Sequence, residues 1–478
     1  MAEHSSFPTI PPEVNQPRSI FPSHWRLRHR YRVLITRSII PFAWPIFIEL
    51  ACVVLIGIIS TVLVSKIGKD AIAAVGLTNS ITYIVLSLFG AIALGGTVLI
   101  AQAFGLHNQQ KRQQGAAHAI NLNLLASLVC GTLFYCFTQP IFSLIASEAD
   151  AHVLRLADQY LKMIALSYPA IALTLSGSSI LRAMGNSRTP AMINILMNIL
   201  NIILSLPCIY GIEALNWDGL GVLGAGIGLC TARWIGAGMI LFSLSHYRSQ
   251  PISLKILCQP LRWAIVKDIL FVGIPTSVES IMFNVGKLVT QIMVAGMGTD
   301  VMAGNIITFS ILLFVNIPGN ALAKSATILV GKRLGQGRTY LAQLEVRLLL
   351  AISSVSQLTL SLLLIPFAPW ITTLYSHDPD VITIVTHLIE LNAIMIVLWS
   401  PSFVLPAAFK GAKDVQYSMW TAILSMWGCR IICGYTLGII MELGIYGIWL
   451  GMYIDWGIKS SLYLYRLYNG RWLHTSVI

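Results

Sequence analysis

The sequence predicts an all-α membrane protein with twelve transmembrane helices in two six-helix lobes, related by a parallel pseudo-twofold repeat. Three observations predict it: a charge-poor composition, twelve apolar runs of spanning length, and an internal copy at a fixed offset. Of the 478 residues, 56% are hydrophobic and 10% charged, whereas a soluble domain carries about 25% charged residues. Apolar stretches longer than about 18 residues recur along the whole chain, and each can cross a bilayer.

The elements follow in order. Residues 1–34 carry Pro8, Pro11, Pro12, Pro17 and Pro22 and then WRLRHRYR. With no apolar stretch and no cleavage site, this segment reads as a basic tail, not a signal peptide. A first lobe, 35–246, holds apolar runs over 35–64, 71–104, 115–138, 158–183, 189–211 and 219–246. A basic linker, 247–263, separates it from a second lobe, 264–467. That lobe has runs over 264–295, 302–333, 342–366, 381–411, 417–440 and 444–467, before a tail at 468–478. Pro45, Pro169, Pro207, Pro275, Pro318, Pro401 and Pro406 interrupt the runs, which membrane helices tolerate. Seven of the eight cysteines lie within the runs and no CxxC occurs, so neither a disulfide framework nor a metal site is expected.

The charges orient the runs. Segments on one side, including both termini, hold twenty Lys and Arg; those opposite hold three, together with ten acids. The positive-inside rule then puts both termini in the cytoplasm. It also assigns the net charge of +12 to topology, and no nucleic-acid partner is expected.

The two lobes are copies. Shifting Pro41–Gln110 by 230 residues gives 15 identities in 70 positions, where apolar composition alone gives about five or six. Pro45 falls on Pro275, Glu49 on Glu279 and Asp70 on Asp300. The connection after the fourth run repeats too, LRAMGNSRTPAM against FKGAKDVQYSM at a shift of 228. Six-helix units begin and end on one side, so the copies run parallel, an architecture suited to alternating access.

The segments LVSKIGKDAIAAVGL, LRAMGNSRTP, GIPTSVESIMFNVGKL and IYGIWLGMYIDWGIKS, in this order, resemble the multidrug and toxic compound extrusion (MATE) family over roughly residues 35 to 473. The resemblance implies an antiporter, driven by protons or sodium, that exports organic compounds of cationic or amphipathic character. It implies small-molecule substrates, the lipid bilayer as surroundings, no cofactor beyond the coupling ion, and a monomer in the cytoplasmic membrane. Many family members place an aspartate late in the first helix; here that position is Ser60.

Ionisable residues within the runs are the candidates for function, since each is costly in the bilayer core. At 1.5 Å per residue, Lys287, Glu390, Arg430 and Asp455 lie about 12–16 Å from the extracytoplasmic side. They predict a charge-balanced midplane network that either ties helices together or meets substrate. Glu49 and Arg233 lie at about 22 and 21 Å and are expected to form a lobe salt bridge. Glu279 matches Glu49, but the position matching Arg233 is Trp456. Glu279 is therefore expected to lack a base and to be the first choice for ion coupling, ahead of Glu49. Ser60 and the stripe Asn194, Asn198 and Asn201, on one helix face at i, i+4 and i+7, are candidates for a polar cavity. Trp44, Tyr83, Phe283, Phe309 and Trp399 could stack on cations.

Rival classes fit less well. No HExxH, GxSxG or P-loop occurs, which leaves an intramembrane enzyme or an ATP-driven pump without its chemistry. A flippase for a lipid-linked precursor remains the nearest alternative; a charge-neutral midplane argues against it.

Overall fold

The computed structural model describes residues 31–145, 150–212, 217–246 and 261–473. Most of the expected tails and of the 247–263 linker lie outside the described residues. The protein is an all-α membrane protein whose twelve spans follow the predicted runs. In the first half they are α1 (Tyr31–Ser65), α2 (Lys69–Gly105), α3 (Gln109–Cys136), α4 (Ala151–Leu166 and Tyr168–Ala183), α5 (Arg188–Tyr210) and α6 (Val222–Ser245). The second half holds α7 (Trp263–Ala295), α8 (Thr299–Gly335), α9 (Thr339–Thr373), α10 (Pro379–Gly411), α11 (Val415–Ile440) and α12 (Gly444–Asn469). Ten are long and apolar enough to cross a membrane, and α4 joins them if its two bent parts are one span. The last, α12, has 26 residues but carries Asp455, Lys459 and Arg466. The only strands among the described residues are the two-residue pair Gly211–Ile212 and Trp217–Asp218.

Helix irregularities have local causes. The 45° bend in α4 falls at Ser167, with Pro169 in the first turn beyond it. Proline there leaves the backbone without an i−4 hydrogen bond. Pro45, Pro207, Pro275, Pro318 and Pro406 sit inside helices. In α11 the backbone loosens into π turns at Met426–Ile431 and Thr436–Ile440, a distortion common where side chains serve a site.

The chain divides into two compact units. One comprises residues 48–103 and 108–277; the other comprises 278–478, 104–107 and the residues up to Phe47. The start of α1 thus belongs with the second repeat, and the start of α7 with the first. Within the C-terminal unit, Ser38 of α1 donates to the buried Glu345 of α9 at 3.1 Å, and Arg333 of α8 holds the same oxygen at 2.6 Å. Within the N-terminal unit, Ile269 of α7 packs with Ile92, Leu99 and Ala119, and the Arg262 N–H donates to His118 Nε2 at 2.8 Å.

Each unit has its own aromatic core: Phe89, Tyr160 and Tyr168 in the N-terminal one, Trp399, Trp449, Tyr453 and Trp456 in the C-terminal one. Each also closes its last helix pair over glycines. A Cβ on Gly228 of α6 would lie 2.7 Å from Ser205 Cα of α5, and one on Gly451 of α12 would lie 2.7 Å from Gly434 Cα of α11. With Gly224 and Gly447 four residues earlier, both are small-xxx-small seams that let backbones touch.

Candidate functional site

Glu49 is buried midway along α1, but its partner is not Arg233. Arg182, at the end of α4, donates to both carboxylate oxygens, at 2.7 Å to Oε1. Asn194 of α5 adds a third bond at 2.9 Å. Arg233 instead donates to Ser167 Oγ at 2.7 Å, at the bend of α4. Rise per residue assigned the two one level, yet their partners Arg182 and Ser167 stand fifteen residues apart along α4, so level and neighbour both differ from the expectation.

Glu279 does not lack a base. Lys410 of α10 donates to Oε1 at 2.9 Å. The helix persists to Gly411, so Lys410 belongs to a span end and its flexible stem reaches inward. Both corrections have one origin. Arg182 and Lys410 occupy matching positions of the 228-residue repeat, as Glu49 and Glu279 do of the 230-residue one. Each half therefore carries one copy of the same acid–base pair. The copies differ in completeness: all of Glu49's carboxylate oxygens have donors, whereas Glu279 Oε2 is buried and finds no donor among the described residues.

The expected midplane network forms only in part. Asp455 is fully buried and lies 3.0 Å from Lys459 Nζ and 4.0 Å from Arg430 Nη1. Ser425 also hydrogen-bonds its carboxylate. Glu390 is exposed on α10 and has no ion pair among the described residues, so the balance of two acids against two bases is not realised. Lys287 is exposed too; its ammonium lies 5.7 Å from the Phe283 ring, with Lys459 5.6 Å from that ring. The outcome is an excess of cations: Asp455 lies among Lys459, Arg430 and Lys287, with the Glu279–Lys410 pair also within electrostatic reach of Lys459. Lys459 was legible as the i+4 neighbour of Asp455, a standard helical ion-pair spacing.

The N-terminal unit encloses a cavity of about 550 Å³. Ser60, Asn198 and Asn201 line it, as expected, and so do Tyr83 and Arg233. Asn194 is not among its lining residues and serves Glu49 instead. The stripe on α5 is thus divided: Asn198 bonds back to the Asn194 carbonyl at 2.7 Å, and Asn201 accepts from Ser205 at 3.1 Å. Of the other aromatic candidates, Trp44 is 58% exposed, while Trp399 stacks on Phe403 and Phe309 tilts against Trp449. Of these three, Trp399 alone is buried, and none lines the cavity.

A family model described as MatE matches residues 45–206 and 275–436, the two repeated halves. The chain is 26% identical over 442 residues to the uncharacterised transporter YisQ of Bacillus subtilis, covering 91% of this chain and 94% of that protein. It is 24% identical over 447 residues to the probable multidrug resistance protein NorM of Thermotoga maritima, covering 93% and 94%. Among solved structures, an outward-facing multidrug resistance MATE transporter matches with a TM-score of 0.83 at 21% identity, over 91% of this chain and 96% of that one. A transporter from Pyrococcus furiosus, described by the reverse polarity of its binding pocket, matches with a TM-score of 0.82 at 21% identity, over 91% and 95%. At these identities the structural likeness is one of fold.

Proposed function

Because the chain belongs to the MatE family, the multidrug and toxic compound extrusion transporters, we propose that it is a secondary antiporter for amphipathic organic compounds. Protons or sodium ions drive it by alternating access, with both termini cytoplasmic and one chain as the working unit. Glu279 is the coupling residue. The observation that supports this is the asymmetry of the twin acid sites. Glu49 is saturated by Arg182 and Asn194 and serves as a fixed salt bridge. Glu279 keeps one buried oxygen open with Lys410 as its one ion-pair partner among the described residues, and can take up a proton or a sodium ion there. An acid that exchanges its counter-ion during a transport cycle needs that opening.

The test uses the purified protein in liposomes, with uptake of a fluorescent amphiphile driven separately by a pH gradient and by a sodium gradient. Wild type is expected to respond to one of them. Glu279→Gln is expected to lose gradient-driven transport while retaining passive substrate exchange. Antiport under neither gradient, or an unchanged response in Glu279→Gln, refutes the reading.

The lipid-linked-precursor flippase stays as a second reading on one specific observation. The charge neutrality that argued against it is not found around Asp455, where Arg430, Lys459 and Lys287 gather.

A further inference from the structure

We propose that the cavity of the N-terminal unit is an anion site, binding organic compounds through a carboxylate or similar oxyanion held by Arg233. This rests on the transporter reading above and narrows its substrate class from amphiphiles in general to anionic ones.

Three observations carry the inference. First, Arg233 is the only charged residue lining the cavity. Ser60, on the same wall, is uncharged. Second, Arg233 is 8% exposed, and the partner of its guanidinium is neutral, the Ser167 hydroxyl at 2.7 Å. No carboxylate lies within ion-pair distance among the described residues. Arginine stays protonated in proteins, and a buried charge is stable only when paired. The cavity therefore holds a fixed positive charge that a bound anion would neutralise. Third, the remaining lining suits the rest of such a molecule. Its volume of about 550 Å³ falls in the range of small-molecule pockets. Asn79, Asn198 and Asn201 offer amide donors to an oxyanion, and Tyr83 with the aliphatic wall accepts an apolar body. A cationic amphiphile would bring like charge to Arg233 in a low-dielectric pocket, where repulsion is strongest.

Two matched probes test this on the full-length protein in nanodiscs of zwitterionic lipid: 1-naphthylacetate and 1-naphthylmethylammonium. Binding is read by calorimetry. Wild type is expected to bind the acetate in preference to the ammonium, and Arg233→Lys to retain that preference. Arg233→Met is expected to weaken acetate binding by about ten- to a hundredfold, the loss of one charge-assisted contact. Should Arg233→Met fail to fold, Ser60→Asp places an acid in the same cavity. It is expected to cost a similar factor for the acetate and to admit the ammonium. Equal affinity of wild type for the two probes, or acetate binding unchanged in both Arg233→Met and Ser60→Asp, overturns the proposal. So does full displacement of the acetate by inorganic phosphate at equal concentration, because the apolar wall would then contribute nothing. The coupling reading fails separately: it depends on gradient-driven transport and Glu279→Gln, neither of which enters this binding measurement.

Discussion

Replacing Arg182 by methionine isolates the energetics of the repeated acid–base pair. The substitution keeps a long apolar stem and leaves the Glu49 carboxylate buried with the Asn194 amide as its remaining donor. Two charge-assisted bonds are lost, each worth about 1.5 kcal/mol or more, so the expected destabilisation is about 3 kcal/mol. That agrees with the range of about 3–5 kcal/mol for breaking a buried pair on one side. Lys410→Met removes one bond to Glu279, at a site slightly more open, and should cost about 1.5–2 kcal/mol. At about 2–4 °C per kcal/mol for units of roughly 200 residues, the apparent midpoint should fall by about 6–12 °C for Arg182→Met and about 3–8 °C for Lys410→Met. Thermal unfolding in detergent, followed by tryptophan fluorescence at one fixed scan rate, measures both. Adding Glu49→Gln to Arg182→Met removes the orphaned charge and should restore at least half of the loss. Stability unchanged in Arg182→Met, or a double variant no better than the single one, would refute the pairing and the reasoning built on it.

Three further outcomes follow from the same packing. Asp455→Asn should destabilise by about 3–5 kcal/mol, because it leaves Arg430 and Lys459 buried without their acid; Lys459→Met in the same chain should recover part of it, in the same melting assay. Gly228→Ala should lower stability by about 1–3 kcal/mol, since its new Cβ meets the α5 backbone at Ser205; folded yield by size-exclusion chromatography reports it. Glu390→Gln, on an exposed face, should stay within about 0.5 kcal/mol of wild type, and its melting curve should overlay that of the parent.

Much of the fold could be read from the chain because bilayer physics is one-dimensional. Run length gives spans, loop charge suggests their direction, and a constant offset exposes the repeat. The site was less legible because it depends on azimuth. Spacing put Glu49 and Arg233 at one level, whereas their partners Arg182 and Ser167 stand fifteen residues apart along a bent α4, and spacing carried no information on which neighbour each one faced. Span ends misled in a related way. Arg182 and Lys410 lie just where apolar runs fade, so a hydropathy reading counts them as connections. Helical hydrogen bonding continues through Ala183 and Gly411, and long basic side chains fold back along the helix. The two repeat offsets together held the missing information, since they align both acids and both bases. The cavity was half visible. Ser60, Asn198 and Asn201 line it, whereas Asn194, on the same stripe, sits one turn nearer Glu49.

The unit boundaries have a consequence for how such a chain is assembled. They fall after Phe47 in α1 and after Ser277 in α7, equivalent positions of the 230-residue repeat, each two residues beyond a proline and two before a glutamate. Each half thus lends its opening segment to the other half's body, the reciprocal exchange seen in domain-swapped dimers, here carried out inside one polypeptide. Neither half holds all the parts of its own unit. A six-helix half synthesised alone would lack one arm and leave its own arm without a berth, so cutting the chain in the linker and supplying both pieces should rescue what neither piece achieves singly.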